Sequence, residues 1–265
     1  MRTNACDFVR SNAANFQEVN MAFDPSLFKK SEPKKLPVLL LLDVSGSMYG
    51  EKIEALHLAV TNMVQACYDA RVREIEICIS IITFGGNSAV LHLPYTPVKN
   101  LVETGIPKFE ASGPTPMGTA IKLAKEIIEN REMTPSNIYR PAVVLLSDGV
   151  PTDETSQPMH DFLHEGRSAK CQCFAVAIGS DADDSLLKSF CSDEANMLYA
   201  DNASDIVDAF KTISMSVSKR ASSKNPNAFA SKAAADAAAS DKAPAANNQQ
   251  SSLGGFSDDD LNDEF

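Results

Sequence analysis

The chain has 265 residues, 44% of them hydrophobic and 22% charged, with a formal net charge of −11. That length buries one sizeable core with room for tails, and so acidic a surface argues against non-specific binding to nucleic acid or to anionic membranes. The longest apolar run, Val38 to Leu42, falls far short of the ~20 residues of a spanning helix, and the N-terminus lacks the apolar stretch of a secretory signal, so a cytoplasmic location is expected.

Residues 1–36 are polar and mixed and read as an N-terminal extension. From residue 37 to 219 strand and helix patterns alternate. Val38-Leu39-Leu40-Leu41-Leu42 predicts a strand buried on both faces, at the centre of a parallel sheet. Ile53, Leu56, Val60, Met63, Val64 and Cys67 recur at helical spacing. Ile75, Ile77, Ile79 and Ile81 alternate with Glu76, Cys78 and Ser80 as in a strand. A shorter strand is predicted from Ala89 to Leu93, a helix from Pro116 to Glu129, and a buried strand from Ala142 to Leu146. The remainder reads as a helix from Met159 to Ala169, a strand from Cys173 to Ile178, a short helix from Ser185 to Phe190, an edge strand from Met197 to Ala200, and a closing helix from Ala203 to Val217. This alternation specifies a doubly wound, Rossmann-like α/β fold with helices on both faces of a mostly parallel sheet. Residues 220–265 lose their large apolar side chains and are expected to be a disordered, Ala/Ser/Asp-rich acidic tail.

The six cysteines, Cys6, Cys67, Cys78, Cys171, Cys173 and Cys191, form no CxxC pair and read as buried thiols of a reducing compartment.

Chemistry concentrates in three loops. Asp43 ends the first buried strand and is followed by Ser45, Gly46 and Ser47; Asp148 ends another buried strand and is followed by Gly149. In a doubly wound sheet ligands bind beyond the carboxyl ends of the strands, and neighbouring strands lie about 5 Å apart, so the two carboxylates would share an ion if their strands pair. Gly46 is expected to let the backbone turn so that both serine hydroxyls face one point. Between the aspartates, Ser112-Gly113-Pro114-Thr115-Pro116 enters a helix, and Thr115 is the hydroxyl expected to join the group; Thr119 falls inside the helix and is the weaker candidate. Two carboxylates and three hydroxyls form a hard-oxygen set, suited to Mg²⁺ or Mn²⁺ and less well to Zn²⁺.

Asp-Val-Ser-Gly-Ser, the Gly-Pro-Thr-Pro-Met-Gly loop and Leu-Ser-Asp-Gly together resemble the metal-ion-dependent adhesion site of the von Willebrand factor A family. The resemblance covers residues 37–219 and implies a metal held by Asp43, Ser45, Ser47, Thr115 and Asp148. The ion would be Mg²⁺, with Mn²⁺ or Ca²⁺ as substitutes, and would receive a carboxylate from a partner protein. Gly149-Val150-Pro151-Thr152-Asp153 and Thr83-Phe84-Gly85 resemble the TerY-type members of bacterial tellurium-resistance and stress systems. That likeness implies a regulatory or scaffolding role beside phosphatase and kinase components; the long C-terminal tail departs from the minimal form.

Enzymatic alternatives fit less well. A phosphohydrolase of the haloacid-dehalogenase type wants a second aspartate two residues after the nucleophile, where Ser45 stands. A serine hydrolase needs a histidine oriented by an acid, and His57 and His92 read as packing residues. His160 and His164 share a helix face with no third ligand evident. No Walker loop or Rossmann glycine fingerprint is present. Asp153 and Asp183 read as turn or capping residues. The chain end, Gly255 to Phe265, reads either as a solvating acidic tail or as a docking segment with Phe256, Leu261 and Phe265 as anchors, which keeps an adaptor acting through its tail as an alternative.

Overall fold

In a computed structural model of the chain, the structure describes residues 32–70 and 74–229; most of the N-terminal extension, most of the acidic tail and Cys6 lie outside these. Six strands form one sheet: β1 Lys34–Asp43, β2 Ile75–Gly85, β3 Ser88–Pro97, β4 Ala142–Ser147, β5 Gln172–Ile178 and β6 Met197–Ala200, in the order β3-β2-β1-β4-β5-β6. All neighbours are parallel except β2 and β3. The chain therefore winds outward from β1 in both directions, and the switch point lies at the carboxyl ends of β1 and β4.

The leucine run shows why the sheet is central. Leu40 and Leu42 enter one core layer, with α1 (Glu51–Asp69), α6 (Ala203–Ala221) and the short α2 (Val98–Thr104). Leu39 and Leu41 enter the other, with α3 (Met117–Glu129), α4 (Ser156–His164) and α5 (Asp184–Phe190). All four are fully buried. Each contributes about 1.5–3 kcal/mol of transfer free energy.

Several boundaries differ from the expectation. β3 runs past Leu93 to Pro97, because an edge strand tolerates Pro94 on the side where no neighbour needs its N–H. The helix α2, bounded by Pro97 and by Gly105 at φ 76°, was not expected. The helix expected at Met159–Ala169 begins earlier, at Ser156, and stops at His164, where Gly166 at φ 72° turns the chain. The closing helix runs on to Ala221 and the chain continues in place to Phe229, past the boundary at 219. Arg220 explains this. Its buried guanidinium donates to the carbonyl oxygens of Pro226 and Arg140 and to Gln172 Oε1, and stacks 4.2 Å from the Phe229 ring centroid. Burial, with the charge of Arg140 adding to it, pulls its pKa down to about 10.

Cys67, Cys78, Cys171, Cys173 and Cys191 are buried and none is in a disulfide. Cys171 and Cys173 face the same core layer. Desolvation pushes the thiols of Cys67 and Cys171 up to about 12 and that of Cys78 to about 11. Since the thiolate is the reactive form, these cysteines are expected to resist a thiol-specific chromogenic reagent at neutral pH in the native protein and to react on unfolding; rapid native labelling of any of the five would contradict this packing.

Candidate metal centre

β1 and β4 pair in parallel with Leu42 opposite Leu146, so Asp43 and Asp148 leave neighbouring strands at the same edge. Both are buried, at 0% and 2% exposure. Asp43 Oδ1 accepts a hydrogen bond from the Ser45 amide at 2.8 Å, and its Oδ2 accepts one from Ser147 Oγ at 2.5 Å. The Ser45 and Ser47 hydroxyls lie 3.0 Å apart, and Ser47 Oγ donates to Asp148 Oδ1 at 2.6 Å. Four of the five expected ligands thus form one continuous chain of contacts. Ser45 is buried whereas Ser47 is exposed, so the group opens to solvent on the Ser47 side.

The Thr115 loop is fastened to this edge through its backbone. The Ser112 amide donates to the Val44 carbonyl at 2.8 Å, the Gly86 amide to the Ser112 carbonyl at 2.6 Å, and the Gly46 amide to the Gly113 carbonyl at 2.9 Å. Thr115, 6% exposed, is also clamped from the β4–α4 loop: its amide donates to Thr152 Oγ1 and its carbonyl accepts from the Thr152 amide. Gly46 does not use a left-handed conformation; it opens a 3-10 turn, Gly46–Met48. Gly86 and Gly113, which meet here, are both left-handed, at φ 58° and 68°, and a Cβ on Gly113 would sit 2.5 Å from Gly86 Cα.

Thr119 does not join the group. Its amide and hydroxyl both bond to Asp153 Oδ2, while Asp153 Oδ1 accepts from the Gly118 amide. Asp153 is therefore the cap of α3, supplied from the β4–α4 loop. Asp183 caps α5 by accepting from the Leu186 amide. His57 and His92 pack against Phe109, at 5.4 and 5.3 Å between ring centroids. The face of α4 carries more ligand atoms than expected: one each from His160, Asp161 and Glu165 lies within 4.8 Å of the others. Lys125 Nζ, however, donates to the backbone carbonyls of Asp161 and Glu165 at the same place, which works against a second cation.

Burial pushes the Asp43 carboxyl above its ordinary value; the hydrogen bonds from Ser147 and Ser45 oppose this, and the charge of Asp148 adds to it. A desolvated carboxylate held by neutral donors, next to a second one and hydroxyl oxygens, is a donor set that fits a hard divalent ion. Three contributors were not singled out from sequence: Ser147, Thr152 and Lys52, whose Nζ lies 2.5 Å from Asp148 Oδ2. Lys52 sits in the first turn of α1, where the helix dipole disfavours a cation unless an acid is near.

An open doubly wound sheet with a carboxylate–hydroxyl cluster at its switch point defines the class of fold. The chain belongs to the von Willebrand factor type A domain family, which matches residues 38–212. No curated protein sequence matches significantly. Among solved structures, proximal thread matrix protein 1 from the mussel byssus, with a zinc-occupied MIDAS motif, is 15% identical with a TM-score of 0.53, covering 68% of this chain and 47% of that one. The ArnB paralog VWA2 from Sulfolobus acidocaldarius is 19% identical with a TM-score of 0.50, covering 65% and 43%. The vWF domain of the type V pili tip protein Mfa5 from Porphyromonas gingivalis is 10% identical with a TM-score of 0.53, covering 73% and 98%. This chain thus spans less than half of the mussel and Sulfolobus chains. Among the described residues no helix is long and apolar enough to cross a membrane.

Proposed function

We propose that Asp43, Ser45, Ser47, Thr115 and Asp148 hold one divalent cation, Mg²⁺ in the cell, and that the chain uses it to capture an acidic side chain of a partner protein. The observation that carries this reading is the pairing of β1 with β4, which sets two buried carboxylates side by side next to the serine hydroxyls. When bound, the ion supplies an electrophilic position for an incoming carboxylate; few protein charges around it leave that position attractive. Exposed Tyr49 and Val150, at 81% and 64%, follow the Ser47 and Asp148 loops and offer apolar contact to a partner around the ion.

The role is binding rather than catalysis: Ser45 stands where a phosphohydrolase of the haloacid-dehalogenase type would carry its acid. The Gly149–Asp153 and Thr83–Gly85 segments support placing the chain beside TerY-type proteins, in a bacterial stress or tellurium-resistance system with phosphatase and kinase components, in the cytoplasm. Affinity capture from cell extract in Mg²⁺, compared with EDTA and with Asp43→Asn, tests the reading. Partners are expected only with wild-type protein in metal; a partner set unchanged by both treatments would overturn it.

A further inference from the structure

We infer that Lys52 is a counter-cation built into the rim, and that it lowers the rim's affinity for the divalent ion while holding Asp148 in register. This rests on the metal-binding reading above. The Asp148 side chain is fully buried and its two oxygens are divided: Oδ1 accepts from Ser47 Oγ at 2.6 Å, and Oδ2 accepts from Lys52 Nζ at 2.5 Å. A buried carboxylate without a partner is strongly disfavoured, and Lys52 is the partner. Asp43, in contrast, takes hydrogen bonds from the Ser45 amide and the Ser147 hydroxyl.

The acid that pairs with the ammonium is Asp148. Lys52 is the second residue of α1, at the positive end of the helix dipole. Its side chain is only 37% exposed although solvent is within reach. The buried acid fixes it in place.

The consequence for a metal is electrostatic. An ion held through Ser47 and Asp148 would share the Asp148 carboxylate with the ammonium already on Oδ2. Like charges within about 6 Å, in a partly buried site, change binding by tenfold or more. Lys52 thus cancels Asp148, leaves Asp43 as the uncompensated protein charge, and keeps the ion's own charge available to an incoming ligand. It also makes the metal-free rim tolerable, because Asp148 is never left alone. Lys52 is a positioning residue that acts through Asp148.

Calorimetric titration with MgCl₂ and thermal melts of the full chain test this on Lys52→Met, Lys52→Gln and Lys52→Arg. Lys52→Met is expected to bind Mg²⁺ about tenfold or more tighter, with a lower melting point in EDTA and a larger rise on adding Mg²⁺. Lys52→Gln, which keeps a donor without the charge, is expected to shift the same way and carries the comparison if the methionine variant does not fold. Lys52→Arg is expected to stay near wild type. If both neutral variants bind Mg²⁺ no tighter than wild type while Asp43→Asn loses it, the role of Lys52 is overturned and the metal site stands. If the wild type itself neither binds Mg²⁺ nor is stabilised by it, the metal reading falls and takes this inference with it.

Discussion

Asp43→Asn is expected to weaken Mg²⁺ binding on the order of 100-fold or more, since even supporting residues around a metal are worth 10–100-fold, and at the same time to make the metal-free protein more stable. Asn keeps the shape of the side chain. Its carbonyl oxygen can accept from the Ser45 amide, and its amide can donate to Ser147 Oγ, which then turns its own proton toward the Gly149 carbonyl 3.4 Å away. What disappears is a charge that burial disfavours. The pH dependence follows from the direction of that shift. Because the folded-state pKa lies above the unfolded one, the folded protein holds this proton more tightly, and stability falls as pH rises through the folded value. Below the ordinary aspartate range the group is protonated in both states and the two proteins should melt alike. At neutral pH in EDTA the variant should gain about 1–2 kcal/mol, read as a rise of several degrees. Excess Mg²⁺ should stabilise the wild type and leave the variant unmoved. A variant that melts below wild type in EDTA at neutral pH would show that the Asp43 charge is not a cost to the fold.

Gly113→Val should damage both fold and site. The residue sits at φ 68°, and an added Cβ would meet Gly86 at Cα, N and O within 2.5–2.9 Å. Backbone cannot give way as a side-chain end does. The left-handed conformation disfavours any side chain by about 1–2 kcal/mol, and forced overpacking adds about 1–3 kcal/mol. The segment that must move carries the Ser112 and Gly113 bonds to Val44, Gly86 and Gly46, so Thr115 moves with it. A loss of about 3 kcal/mol in denaturant melts is expected, with Mg²⁺ binding at least tenfold weaker. Unchanged affinity would mean that the Thr115 loop contributes nothing to the ion.

Much of this was legible in sequence because it depends on strand ends. A run of five apolar residues amid alternating strand and helix patterns suits a strand buried on both faces, and an acid just past its carboxyl end then lies at the sheet's rim. Two such runs, at Val38 and Ala142, point to Asp43 and Asp148. The Thr115 loop was found from its glycine and prolines. What the sequence hid is tertiary. Lys52, Thr152 and Ser147 each matter through a partner about 35 to 105 positions away in the chain, and no local period reports such a pairing. The α2 helix is seven residues long, too short for its period to stand out, and Arg220 reads as the start of a polar tail because two of its three oxygen partners, on Gln172 and Arg140, lie 48 and 80 positions back in the chain.

That arginine also fixes a direction. Gln172 and Arg140 stand at the amino ends of β5 and β4, and Asn227 Oδ1 accepts from the Arg140 amide. The described chain therefore finishes at the pole opposite the carboxylates, separated from them by the length of β4, about 20 Å for its six residues. A sensor chip or fluorescent fusion joined directly after Phe229 would start from that far pole, leaving the aspartates pointed at the analyte.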